Sequence, residues 1–91
     1  DIIRCESTDN YTNFYLLNGS KIMVSKTLKH FDDLLSSYNF FRVHQSHLIN
    51  LIHLKLYHKG EGGYAIMADD SSVMVSRRKK AEFLERLSQM G

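Results

Sequence analysis

Phe40-Phe41-Arg42-Val43-His44-Gln45-Ser46-His47-Leu48-Ile49-Asn50 is the stretch on which the reading of this chain turns. It holds an aromatic pair, an Arg, two imidazoles, an amide and a hydroxyl, with no Gly or Pro. Apolar residues mark both ends, Phe40, Phe41 and Val43 on one side and Leu48 and Ile49 on the other. The polar run His44-Gln45-Ser46-His47 lies between them. Strand, polar knuckle, strand is how a β framework presents side chains from a rigid support. An ordinary loop between two core strands would give the same pattern. A second feature therefore matters: Ser76-Arg77-Arg78-Lys79-Lys80, where a helix is expected to begin.

Upstream of the knuckle, Ile2 to Glu6 reads as a first strand, and Ser7-Thr8-Asp9-Asn10 as a loop of turn formers closed by Tyr11. Thr12 to Leu17 is rich in β-branched and aromatic residues and predicts a second strand. Asn18-Gly19 signals a hairpin, with Lys21 to Val24 as the partner strand. Ser25 is the expected N-cap of a helix over about Lys26 to Ser36, whose Leu28, Phe31, Leu34 and Leu35 form one apolar stripe. Arg42 is expected to be paired within the fold.

Downstream, Leu54 to Lys59 alternates as a strand, with Leu54, Leu56 and His58 on one face and Lys55, Tyr57 and Lys59 on the other. Gly60-Glu61-Gly62-Gly63 reads as a hairpin tip, followed by a strand over Tyr64 to Ala68. Asp69-Asp70 turns the chain into a strand from Ser72 to Ser76, with Val73 and Val75 on one face. Ser76 is the expected cap of a last helix to about Gln89, docked by Phe83, Leu84 and Leu87. The sum is one β-dominated α+β domain over residues 1–91.

Ninety-one residues with 43% hydrophobic and 24% charged content describe a globular chain with one modest core. No apolar run approaches the roughly 18 to 20 residues of a membrane span. A lone cysteine, Cys5, forms no internal disulfide and fits a reducing cytoplasm, with an inert, partly buried thiol expected. The chain opens on Asp1-Ile2-Ile3-Arg4 with strand-like residues at once, as expected of a fragment of a longer protein. A formal charge of +2 says little about partners. The concentration of four consecutive cations, Arg77 to Lys80, says more.

Native helices prefer Asp or Glu in their first turn, where the helix dipole is positive. Cations placed there each cost up to roughly 0.3–1 kcal/mol when exposed, and a bound phosphate reverses the penalty. A solvated basic turn is the plainer alternative. In the knuckle, Gln45 has an amide able to pair bidentately with adenine, and Ser46 suits a phosphate oxygen. Asn10, Tyr11 and Asn13 form a third set of polar tips beside the first hairpin.

Five histidines raise the question of a metal. His44, His47 and His53 could anchor a metal-dependent enzyme, but no Cys pair accompanies them and scattered structural histidines are the simpler account. The glycines at 60, 62 and 63 lack the helix and the Lys-Ser/Thr end of a phosphate-binding loop, and no nucleophile elbow is present. An enzyme is not expected, and neither a cofactor nor a metal is assigned.

With these residues assembled, the Phe40–Asn50 segment resembles the central signature of the LytTR (LytR/AlgR-type) family of bacterial DNA-binding domains. The signature has an aromatic pair, Arg-x-His-x-Ser, and an apolar pair ending in Asn. Glu6-Ser7 with Asn10-Tyr11 is similar to the family's first loop, Thr27-Leu28-Lys29 to its helix after the hairpin, and Val75-Ser76-Arg77-Arg78 to its closing strand-to-helix turn. The four pieces stand in the family's order and span nearly the whole chain.

The resemblance implies an elongated set of small antiparallel sheets with two short helices, whose loops reach successive DNA grooves. It implies base reading by Tyr11, Gln45 and Arg78, with Arg77 taking the last role if the register shifts by one. Asn10, Asn13, Ser46, Lys79 and Lys80 would then serve the phosphate backbone. It further implies the output half of a two-component response regulator, bound to paired direct repeats in double-stranded promoter DNA, one copy per repeat. No membrane contact by the domain is expected. The rival reading is a protein-interaction module whose surface is Tyr11, Phe40-Phe41 and the hairpin edge.

Overall fold

The computed structural model describes residues 1–60 and 62–90. Five strands form the main sheet: β1 (Ile2–Thr8), β2 (Tyr11–Leu16), β3 (Lys21–Val24), β4 (Phe40–His44) and β5 (His47–Asn50). They lie in the order β3-β2-β1-β5-β4, and every pairing is antiparallel. A second antiparallel sheet holds β6 (Leu54–His58), β7 (Tyr64–Met67) and β8 (Ser72–Met74) in sequential order. Helix α1 (Leu28–Leu35) follows β3, and α2 (Lys80–Met90) closes the described chain. The molecule measures 33 × 26 × 25 Å along its principal axes, a modest elongation. No helix is long and apolar enough to cross a membrane.

Period-two alternation in the signature stretch gives the main sheet two buried faces. Phe40 and Leu48 join Cys5, Phe14 and Leu28 in a core under α1. Their neighbours Phe41, Val43 and Ile49 face the other way, into a larger core with Ile3, Ala65, Met67, Val73, Val75 and Phe83. The sheet is therefore sandwiched between α1 on one face and the small sheet with α2 on the other. Both members of the Phe40-Phe41 pair are buried, so they offer no surface to a protein partner, contrary to the interaction-module reading.

Asn50 ends the signature as a brace. Its Nδ2 donates to the Ile2 carbonyl at 2.9 Å and its Oδ1 accepts from the Ile52 amide at 3.1 Å. Cys5 is fully buried, and burial pushes its thiol up to about 12, Arg4 pulling weakly the other way. The thiol is thus more deeply buried than expected, and both its burial and its raised pKa disfavour the reactive thiolate.

Several local expectations are corrected. Helix α1 starts later than predicted, with Thr27 in place of Ser25 as N-cap, its side chain accepting from the His30 amide. Leu34 is exposed, while Leu28, Phe31 and Leu35 make the docking stripe. In β6 an irregularity in pairing between Leu54 and Leu56 switches the alternation. Leu54 and Tyr57 both pack on the core, leaving Leu56 exposed. The strands on either side of the expected tip, β6 and β7, pair antiparallel, and the tip itself includes Glu61, which lies outside the described residues.

Candidate nucleic-acid interface

The strand order decides what stands together. The β1–β2 turn at Asp9-Asn10 and the β4–β5 turn at Gln45-Ser46 emerge at the same end of the main sheet, because β1 and β5 are neighbours and Glu6 pairs with His47. A backbone bond from the Ser7 amide to the Ser46 carbonyl, 3.0 Å, ties the two turns. Asp9 takes a left-handed φ of 54°, which a short polar residue tolerates. Asn10 and Tyr11 are exposed there.

The knuckle is held from beneath. Arg42 donates from Nη2 to the Gln45 carbonyl at 2.6 Å, a pairing within the fold that fixes the turn's backbone. The Ser46 amide donates to His44 Nδ1 at 3.1 Å. Gln45 is left with an exposed side chain on a pinned main chain. His47 sits behind it, with Nδ1 buried and unpartnered among the described residues. Burial lowers its pKa, opposed by the Glu6 carboxylate and reinforced by His44 and Arg4.

The basic segment joins this end through one bond. The Ser76 amide donates to the Val43 carbonyl at 2.8 Å, linking the end of the small sheet to β4. Arg77, Arg78 and Lys79 then form a 3-10 turn before α2 begins at Lys80. This corrects the expectation that Ser76 caps the helix directly: its side chain makes no capping bond. Two amides are used inside the turn, Lys79 to the Ser76 carbonyl and Lys80 to that of Arg77. Glu82 becomes the first-turn acid of α2.

The two arginines diverge. Arg78 lines a cleft of about 330 Å³ with Gln45, Arg42, His44, Ser76, Lys79 and the carboxylate-bearing Asp32. Arg77 lines a second cleft of about 540 Å³ with Lys80, Tyr57, Gly60, Gly62 and Gly63. Lys79 is half-buried, its ammonium 4.0 Å from Glu82 and 5.8 Å from the Phe41 ring.

One expected contact residue is absent from this surface. Asn13 is only 4% exposed, and its Nδ2 donates to Thr8 Oγ1 at 3.1 Å. It pairs with Glu6 in β1 and Met23 in β3, within the sheet instead of at its tip. Lys26 is an exposed cation at the same end that the sequence reading passed over. The pairing of Thr12 with Val24 brings the end of β3 alongside Tyr11, a long-range fact that no local pattern in the sequence marks. Among the described residues no group of three His, Cys, Asp or Glu side chains is placed to hold a metal ion.

The surface so assembled has an aromatic, an amide and a guanidinium on three adjoining turns, with lysines beside them. These are the side chains that contact base edges and phosphates. A search of curated protein sequences finds no match. Among solved structures, the chain superposes with a TM-score of 0.84 on a LytTr DNA-binding domain of a methyl-accepting/DNA response regulator from Bacillus cereus. The two are 23% identical, with 94% of this chain and 80% of that one covered, which shows the fold. The profile of the LytTr DNA-binding domain family matches residues 1–88, and this chain belongs to that family.

Proposed function

We propose that this domain reads double-stranded DNA sequence-specifically as the output part of a bacterial transcription regulator acting in the cytoplasm. The observation that carries the reading is the gathering of Tyr11, Gln45 and Arg78 on turns tied together by backbone hydrogen bonds. Arg78 donates to guanine O6 and N7, and Gln45 pairs with an adenine edge or its neighbour. Tyr11 reaches a third position at the β1–β2 end. The divergence of the arginines favours Arg78 over Arg77 as the base reader, since Arg78 shares the cleft with Gln45.

Asn10, Ser46, Lys79 and Lys80 serve phosphates, with Arg77 beside Lys80 in the neighbouring cleft. Asn13 supports the β1–β2 turn from inside and drops out of the contact set. Two copies bind paired direct repeats, one per repeat, and a two-component receiver is the expected source of control.

Selection of duplexes from a random pool, then anisotropy titration at two salt concentrations, tests this. A recovered direct repeat with binding that weakens steeply in salt is the expected result. Arg78→Ala and Gln45→Ala should each cost roughly 1–3 kcal/mol on the selected duplex and relax preference at one base position. Selectivity unchanged in both variants would remove these residues as readers.

A further inference from the structure

The contact set above ends at Tyr11, yet the sheet continues outward through β2 to β3. Thr12 pairs with Val24 at that margin, and Thr12 is fully buried. Its Oγ1 donates to the Lys26 carbonyl at 2.8 Å. The Lys26 amide donates to the Val24 carbonyl at 2.9 Å. Both polar groups of the Lys26 backbone are thus fixed to the sheet, while the side chain is exposed.

Other lysines near the main sheet are engaged. Lys29 pairs with Asp33 at 3.1 Å, and Lys21 lies 5.7 Å from the Tyr15 ring at the opposite end of β2. No carboxylate among the described residues lies within 4.0 Å of the Lys26 ammonium. A cation on an immobilised backbone, unpaired, one strand outside a base-reading turn, is placed as a phosphate contact is placed.

Resting on the DNA-binding reading, we infer that the β3–α1 junction is a further DNA-docking surface, with Lys26 holding a backbone phosphate outside the position reached by Tyr11. The footprint then runs from Lys26 through Asn10, Gln45 and Ser46 to Arg78, and is longer on the first-loop side than the reading turns alone require. The contact carries no sequence information. It adds affinity and salt sensitivity equally to all duplexes.

The test uses the selected duplex, a version shortened at the end facing the β1–β2 turn, and the variants Lys26→Ala and Lys29→Ala. Thermal unfolding of each variant confirms that it folds. On the long duplex Lys26→Ala should reduce the slope of log affinity against log salt by about 0.9, the value for one phosphate, without altering base preference. Lys29→Ala should leave the slope unchanged, and on the shortened duplex the Lys26→Ala deficit should vanish. An unaltered slope in Lys26→Ala, with the unsubstituted domain binding normally, overturns the contact and leaves the DNA-binding reading intact. Equal deficits on both duplexes overturn its position outside Tyr11. Absence of salt-sensitive binding by the unsubstituted domain overturns the DNA-binding reading and this contact with it.

Discussion

Gln45 and Asn13 carry the same side-chain amide, and the fold uses them in opposite ways. Gln45 occupies a two-residue turn, where side chains leave the sheet, so its amide meets solvent. Asn13 lies three positions beyond the β1–β2 turn within β2, paired on both sides, so its amide is buried, with Nδ2 donating to Thr8 Oγ1 and Oδ1 without a partner among the described residues. Composition alone does not separate the two; position in the strand does, and Asn13 falls inside the strand expected from Thr12 to Leu17 as it does inside β2, which begins one residue earlier at Tyr11. His47 shows the same sensitivity. Burial lowers its pKa, so the unfolded chain takes up a proton more readily than the native one. The associated stability is full above the ordinary imidazole value of about 6.5 and is lost as pH falls toward the native value. His47→Gln should therefore flatten the decline in urea midpoint between about pH 7 and about pH 5. An identical slope in the variant would assign that decline to other groups.

At the scale of elements, α1 and β6 show what periodicity delivers and where it stops. The apolar stripe of α1 was legible because Leu28, Phe31 and Leu35 recur at helical spacing, and they do pack under the sheet. Leu34 fits the same spacing loosely but points outward, since an eight-residue helix buries only a narrow face. Strand β6 was legible as a strand but not in its facing, because the pairing shift between Leu54 and Leu56 leaves no mark in composition. The helix pair makes the distinction measurable. Leu28→Ala removes a buried side chain and should cost about 2–5 kcal/mol, as for other core leucines. Leu34→Ala should stay within about 0.5 kcal/mol, the range for surface changes. Equal losses in chemical denaturation would contradict the outward placement of Leu34.

For the whole molecule, the main sheet belongs to two cores at once. Cys5 and Leu48 face α1 while Ile3 and Ile49, on the same two strands, face the small sheet and α2. Neither core can be lost without stripping one face of β1 and β5, so the two should melt together. The three turns of the candidate interface depend on both cores: the first loop and knuckle on the strands, and Arg78 on the Ser76–Val43 bond that joins the sheets. Strand order and this junction are long-range facts that local patterns do not carry, and the family resemblance implied only small antiparallel sheets with their loops at successive grooves. Phe83 is the point to probe, fully buried with its ring centroid 5.1 Å from Tyr57 and 6.0 Å from Phe41. Phe83→Ala should cost about 3–5 kcal/mol by leaving a cavity between α2 and both sheets. Because the cores share strands, it should lower the same single transition that Leu28→Ala lowers, followed by far-ultraviolet circular dichroism and by tyrosine fluorescence. Two separable transitions in Phe83→Ala, with the α1 side surviving the first, would mean that the sheet does not couple its faces. The alignment of Arg78 with Gln45 would then rest on the Ser76–Val43 junction alone.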